Sequence, residues 1–233
     1  LYHRPDLMPD ALHPNPEGAR LIAQRVYSAI TGDFGGLSVS KLYSDNMIIQ
    51  RDMPFIVKGT ANANEDIVVR FNKKSIKTKA NYNGKWEVCF DTIRVDGKKH
   101  KLTITSKNKS LSFKNILVGE VILCSGNYKP TYANQQSTDF VKNHNDDIRI
   151  YYMETPAVTK VVSDLENMNS IEKEIINDCY LYWPTIWQTI NEDNIDYYES
   201  SYHLARKISD SLQMPVGLIY NIVEDMPIES FID

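Results

Sequence analysis

The sequence is poor in cysteine, and its cysteines form no pattern. Cys89, Cys124 and Cys179 are the only three, far apart, with no CxxC and no Cys/His cluster. That points away from a zinc site or a disulfide framework, and small buried thiols are the expectation. No apolar run approaches the roughly 20 residues of a membrane span. The N-terminus lacks the basic-then-apolar order of a signal peptide. Positive charge is not in excess: 26 Lys and Arg stand against 30 Asp and Glu, a net charge of −4. A general nucleic-acid or anionic-membrane binder is disfavoured, although a local basic patch remains open. There is no internal repeat, no low-complexity tract and no cofactor motif. What is present is ordinary for a globular chain: 233 residues, 42% hydrophobic and 24% charged. That is enough apolar material for a core and for one or two domains. The chain opens on Leu1, not Met, and reads as the middle of something longer.

Three textures follow one another. Pro14-Asn15-Pro16-Glu17-Gly18 reads as a turn into a helix, with Ala19, Leu21, Ile22, Val26, Ala29 and Ile30 as its apolar stripe. Gly32 is its expected C-terminal cap, and the glycines around Phe34 read as a linker. From about Val39 to Leu117, short β-type runs recur at 47–49, 55–57, 67–71, 86–90, 102–105 and 111–113. Asn83-Gly84 and Asp96-Gly97 read as hairpin turns between them. The expectation is a small antiparallel sandwich. From Val118 on, Val121-Ile122-Leu123-Cys124, Ile148 to Tyr152 and Val216 to Tyr220 read as buried parallel strands, with a helix over about 197–212.

Asp10-Ala11-Leu12-His13 places a carboxylate and an imidazole three residues apart before a helix. A carboxylate there can hold one ring nitrogen while the other serves a nucleophile as general base. On spacing alone, a helix-entry loop with a surface histidine is the commoner meaning. Residues 6–30 also resemble the last block of the SGNH/GDSL hydrolases, flavodoxin-like α/β enzymes that cleave esters. That resemblance implies Asp10 as triad acid and His13 as base.

A longer resemblance begins at Leu42-Tyr43-Ser44-Asp45-Asn46-Met47-Ile48-Ile49-Gln50-Arg51-Asp52-Met53-Pro54. Together with Val57-Lys58-Gly59-Thr60-Ala61, Asn83-Gly84-Lys85-Trp86, Leu102-Thr103-Ile104, Leu117 to Gly126, Pro215 to Ile219 and Pro227 to Phe231, it is similar to the sialate O-acetylesterase family. The resemblance implies a β domain followed by part of an SGNH domain that removes acetyl groups from sugars. Its ligand would be an acetylated sugar or sialoglycan. The parent protein would be periplasmic or extracellular. In the family, Cys-Ser-Gly is followed by Gln-Ser-Asn-Met, and that serine is the nucleophile. Here Tyr128 stands in its place, with a phenol whose pKa near 10 leaves little phenolate at neutral pH. Val223-Glu224-Asp225-Met226 replaces a small-residue turn, and its carboxylates would oppose an oxyanion. Ser125 keeps the strand-end location, but a turn hydroxyl is its commoner role.

The expected organisation is therefore α/β plus all-β. Residues 1–31 form the tail of an SGNH-type domain, 32–38 a linker, 39–117 a sandwich and 118–233 an incomplete flavodoxin-like layer. Flanking sequence or a second chain would complete that layer. The copy looks degenerate. A non-catalytic carbohydrate-binding or spacer module with an α/β remnant is the alternative. Trp86 is expected in the sandwich core. The aromatic run from Tyr180 to Trp187 is expected in core packing. The lysines at 73, 74, 77, 79, 98 and 99 are expected on solvated strand ends.

Overall fold

The computed structural model describes residues 7–9, 12–126, 146–152, 186–190 and 199–222. Among them are two helices, α1 (Pro16–Thr31) and α2 (Glu199–Leu212). The strands are β1 (Ser38–Val39), β2 (Ile48–Gln50), β3 (Met53–Thr60), β4 (Asp66–Phe71), β5 (Lys74–Lys79), β6 (Lys85–Ile93), β7 (His100–Thr105), β8 (Ser110–Gly126), β9 (Ile148–Tyr152), β10 (Trp187–Thr189) and β11 (Val216–Ile222). The fold is α/β plus all-β, as its sequence texture implies.

Helix α1 starts and stops on its caps. The Asn15 side chain accepts from the Gly18 N–H, and Gly32 closes the helix in the left-handed region with its N–H on Ser28 O. The apolar stripe finds no core among the described residues. Ile22, Val26, Tyr27 and Ile30 are exposed, and only Gly18 and Ser28 are buried within the helix.

The sandwich packs a three-stranded sheet, ordered β1-β3-β6, on the run β8-β7-β4-β5. Its strands alternate buried and exposed residues, most regularly along β6, so each sheet offers one apolar face to the other. Phe55 and Val57 of β3, and Trp86, Val88 and Phe90 of β6, share one core with Ile67, Val69, Phe71, Leu102 and Ile104. Phe55 meets Phe71 edge-on at 5.2 Å between ring centres.

The two glycine turns correct one expectation. Gly84 and Gly97 take positive φ as required, but β5 and β6, and likewise β6 and β7, lie in different sheets. Both turns carry the chain across the sandwich. The true hairpins are β4–β5 and β7–β8. Asn-Gly specifies a reversal of direction, and the apolar faces decide which sheet receives the next strand.

Strand β8 is the axis of the molecule. Its first part pairs antiparallel with β7, from Thr105↔Ser110 to His100↔Ile116. At Leu117 to Gly119 it pairs parallel with β2. From Glu120 to Gly126 it pairs parallel with β11, which pairs parallel with β9. Strand β10 covers the far side of β9. The change of texture near residue 118 is thus a change of partners within one continuous strand.

The parallel part alternates between two cores. Ile148, Ile150, Val216, Leu218 and Tyr220 face Tyr202 and Ala205 of α2. Tyr151, with Val121 and Ile219, joins the sandwich core instead. Gly119 makes the junction possible: a Cβ there would lie 2.0 Å from Pro215 O.

Candidate functional site

The segment 42–50 forms the joint between sandwich and parallel layer. Ser44 Oγ accepts the Trp187 N–H at 3.1 Å, and Leu42 O accepts its indole N–H at 3.0 Å. The indole is buried and packs on Tyr151 at 5.7 Å between ring centres. The Val121 N–H donates to Gln50 Oε1 at 2.7 Å, so a side chain continues the ladder where β2 ends. Arg51 holds Glu120 through Nε at 2.8 Å and Asp52 at 2.6 Å.

Arg149 is the most deeply buried charge described, 1% exposed. Its Nη1 donates to Asn46 O at 2.8 Å and to Asn115 O. Nη2 reaches Asn115 Oδ1 at 3.3 Å, and Nε reaches Asp146 O at 3.3 Å. Asn46 and Asn115 both adopt positive φ and bond to each other at 2.7 Å. Burial pushes the guanidinium below its ordinary value, opposed by the carboxylates of Asp147 and Asp146. The cation keeps its proton and is satisfied by carbonyls. Arg149 is not among the residues that motif or spacing singles out. The available signal was one charge inside Ile148-Arg149-Ile150, a run otherwise apolar.

Parallel α/β sheets place their reactive groups at the carboxyl ends of the strands. Those ends lie at Ser125 and Gly126 on β8, in register with Asn221 and Ile222 on β11. Ser125 is exposed, and so is Leu123 two residues before it, 63% accessible. Alternation puts both on the face that continues beyond the sandwich. Cys124 points the other way, toward α2. Burial raises its pKa, with Ser201 hydrogen-bonding in opposition. It is a thiol at neutral pH and a poor nucleophile. Burial likewise raises Tyr220, whose ring lies 6.0 Å from that of Tyr152.

The expected catalytic residues are placed only in part. Ser125 stands at the strand end as expected. His13 is exposed in the loop before α1. Asp10, Tyr128 and the turn at 223–226 lie outside the described residues. Helix α1 joins the sandwich where the Ala63 N–H donates to Gly32 O at 2.8 Å and the Phe34 N–H to Asn62 Oδ1 at 2.9 Å. That turn leads into β4, whose Val68 registers with Thr105, itself opposite Ser110. The joint is therefore at the start of β8, and Ser125 is near its end. At roughly 3.3 Å per residue, about 50 Å of strand contour separates Ser110 from Ser125. The structure brings no nucleophile–base pair together among the described residues. Trp86 and Trp187 are buried, as core packing requires, and His203 is half-buried on α2. The lysines at 74, 77 and 79 lie on edge strand β5.

No protein-family model and no curated protein matches the sequence. Among solved structures, the chain is similar to XAC1771, a carbohydrate acetylesterase from Xanthomonas citri, with a TM-score of 0.67 and 20% identity. The likeness covers 84% of this chain and 42% of that one, so the chain spans less than half the length of that protein. The likeness is one of fold.

Proposed function

We propose that the chain carries the arrangement of a carbohydrate acetylesterase of the sialate O-acetylesterase type, in a degenerate copy. The observation behind this reading is the open carboxyl end of β8, with Ser125 exposed beside β11, in a fold shared with a carbohydrate acetylesterase. A competent site needs a hydroxyl within hydrogen-bond reach of an imidazole, and donors aimed at the oxyanion. Tyr128 at the nucleophile position withholds the first. The carboxylates of Glu224 and Asp225 work against the second. The predicted result is no turnover of p-nitrophenyl acetate or acetylated oligosaccharides above background. Robust turnover that survives both Ser125→Ala and His13→Ala would overturn this assignment of the site.

In this reading Asp10 and His13 serve a separate unit, residues 1–31, and not Ser125. The exposed apolar stripe of α1 and its attachment at the start of β8 support this. Spin labels at positions 13 and 125 should report a separation above about 25 Å, given the strand contour between the two regions. A separation near 10 Å would restore one triad.

A second reading, a non-catalytic carbohydrate-binding sandwich at 39–117 with the α/β part as support, draws on the sandwich's own closed core. Glycan binding by residues 38–117 alone, lost when a Trp or Tyr of that segment is replaced, distinguishes it.

A further inference from the structure

The sandwich carries a cleft of about 620 Å³, bounded by the β4–β5 turn, the end of β6 and the segment entering β7. This is within the range of small-molecule sites and far larger than a lone ion requires. Its floor is Phe71 and Phe90, both buried, with ring centres 5.8 Å apart. The wall is His100, also buried and 5.4 Å from the Phe71 ring. The imidazole is fixed at both nitrogens, Nδ1 at 2.7 Å from Asn72 Oδ1 and Nε2 at 2.9 Å from Asp96 Oδ1.

The rim has five cations, Lys73, Lys74, Arg94, Lys98 and Lys99, against the two carboxylates Asp91 and Asp96. Both carboxylates are engaged. Asp91 holds Lys74 at 2.5 Å. Asp96 takes His100 and the Lys98 N–H, the latter at 3.0 Å. Lys73, Arg94, Lys98 and Lys99 remain exposed around the opening; Lys98 lies in the field of Asp96, and none of the four closes a salt bridge among the described residues. This is a concentration of positive charge on a chain whose net charge is −4. A concave site with an apolar floor focuses such a field toward an anion.

We propose that this cleft binds an anionic saccharide, whose carboxylate or sulfate ester meets Arg94, Lys98 and Lys99 at the rim. A guanidinium offers such a group a planar pair of donors, and the flanking ammonium groups add point charge. The saccharide part rests on the carbohydrate-esterase reading, while the anionic part rests on the cleft alone.

The test is calorimetric titration of the full chain with four probes: oligogalacturonate, a carrageenan oligosaccharide (sulfated, with no carboxylate), a neutral cello-oligosaccharide and polyglutamate. At least one of the two anionic saccharides should bind, and whichever binds identifies carboxylate or sulfate as the recognised group. The cello-oligosaccharide and polyglutamate should bind at least about tenfold more weakly. Arg94→Glu and the double variant Lys98→Glu/Lys99→Glu should each weaken the bound probe about tenfold or more. Lys79→Glu, outside the cleft, should leave it unchanged. Thermal melts of the variants, all altered at exposed positions, verify that they remain folded. Failure of both anionic saccharides, wild-type affinity in the rim variants, or equal binding of polyglutamate would overturn the proposal. Turnover of p-nitrophenyl acetate measured in parallel bears on the degenerate-esterase reading alone, so that reading and the cleft can fail separately. Binding without hydrolysis leaves the cleft standing, and hydrolysis without binding removes it.

Discussion

The sandwich and the parallel layer solve the same problem with unequal means. The sandwich pairs two apolar faces that come from its own strands, and Val57, Ile67, Val69, Leu102 and Ile104 are fully buried between them. The layer has two faces and only α2 of its own, among the described residues, to cover one. Its other face borrows the sandwich, through Tyr151, Trp187, Val121 and Ile219. Beyond that contact Leu123 is left in solvent. A sheet that alternates polar and apolar residues stands with one cover, whereas a parallel sheet that is apolar on both sides needs two. The layer's stability is therefore a property of the joint.

The largest blow to this asymmetry should come from Trp187→Ala. It removes a buried aromatic and the indole bond to Leu42 O, at a cost of about 3–5 kcal/mol. Amide exchange should rise in 148–152 and 216–220 while 67–71 and 102–105 stay protected, and a uniform rise would erase the distinction. Arg149→Met comes next. It strips the donor from Asn46 O, Asn115 O and Asp146 O, and a loss of about 3 kcal/mol is expected from denaturant unfolding. A neutral outcome would mean that packing alone closes the joint. Gly119→Ala forces a methyl onto Pro215 O and should cost about 1–3 kcal/mol, read as a lowered Tm. Unchanged stability would show that β8 and β11 can move apart freely.

The smallest effect belongs to the sandwich. Burial acts to raise the Asp96 carboxyl, but the Lys98 N–H and the His100 ring prevail and hold it below its ordinary range. A carboxyl lowered in the fold adds stability above the unfolded value, near 4, and loses it as pH falls through the folded value. Asp96→Asn should therefore lower Tm at pH 7 and matter less at pH 3. A Tm difference that is constant with pH would reject the interaction.

Much of the fold was legible because burial leaves a period. β4, β6 and β7 alternate, and the parallel stretches, Val121 to Cys124 of β8, Ile148 to Tyr152 of β9 and Val216 to Tyr220 of β11, are mostly apolar. Strand β5 escaped notice because Lys74-Ser75-Ile76-Lys77-Thr78-Lys79 sits on an edge and exposes most of its side chains. Strand β10 is only three residues long and was hidden within an aromatic run. The sheet crossings at Gly84 and Gly97 are decided by contacts distant in sequence, which a dipeptide cannot encode. The same holds at the candidate site. Ser125 at a strand end follows from the run before it. Arg149 draws its role from carbonyls on Asn46 and Asn115, each donated by another part of the chain. Lys98 and Lys99 were legible only as charge at a strand end, and the concavity beside them arises only when three segments meet.

The continuity of β8 also sets an order of events during synthesis. Its first residues find β7 at once, since Ser110 pairs with Thr105 five positions earlier. Its last residues wait for β11, since Glu120 pairs with Val216 about 96 positions later. Closing so long a loop is slow compared with closing a hairpin. A nascent chain would thus hold one strand half folded, its finished end anchored and its apolar end exposed, until α2 and β11 arrive. The period of greatest exposure to misassembly is written into a single strand.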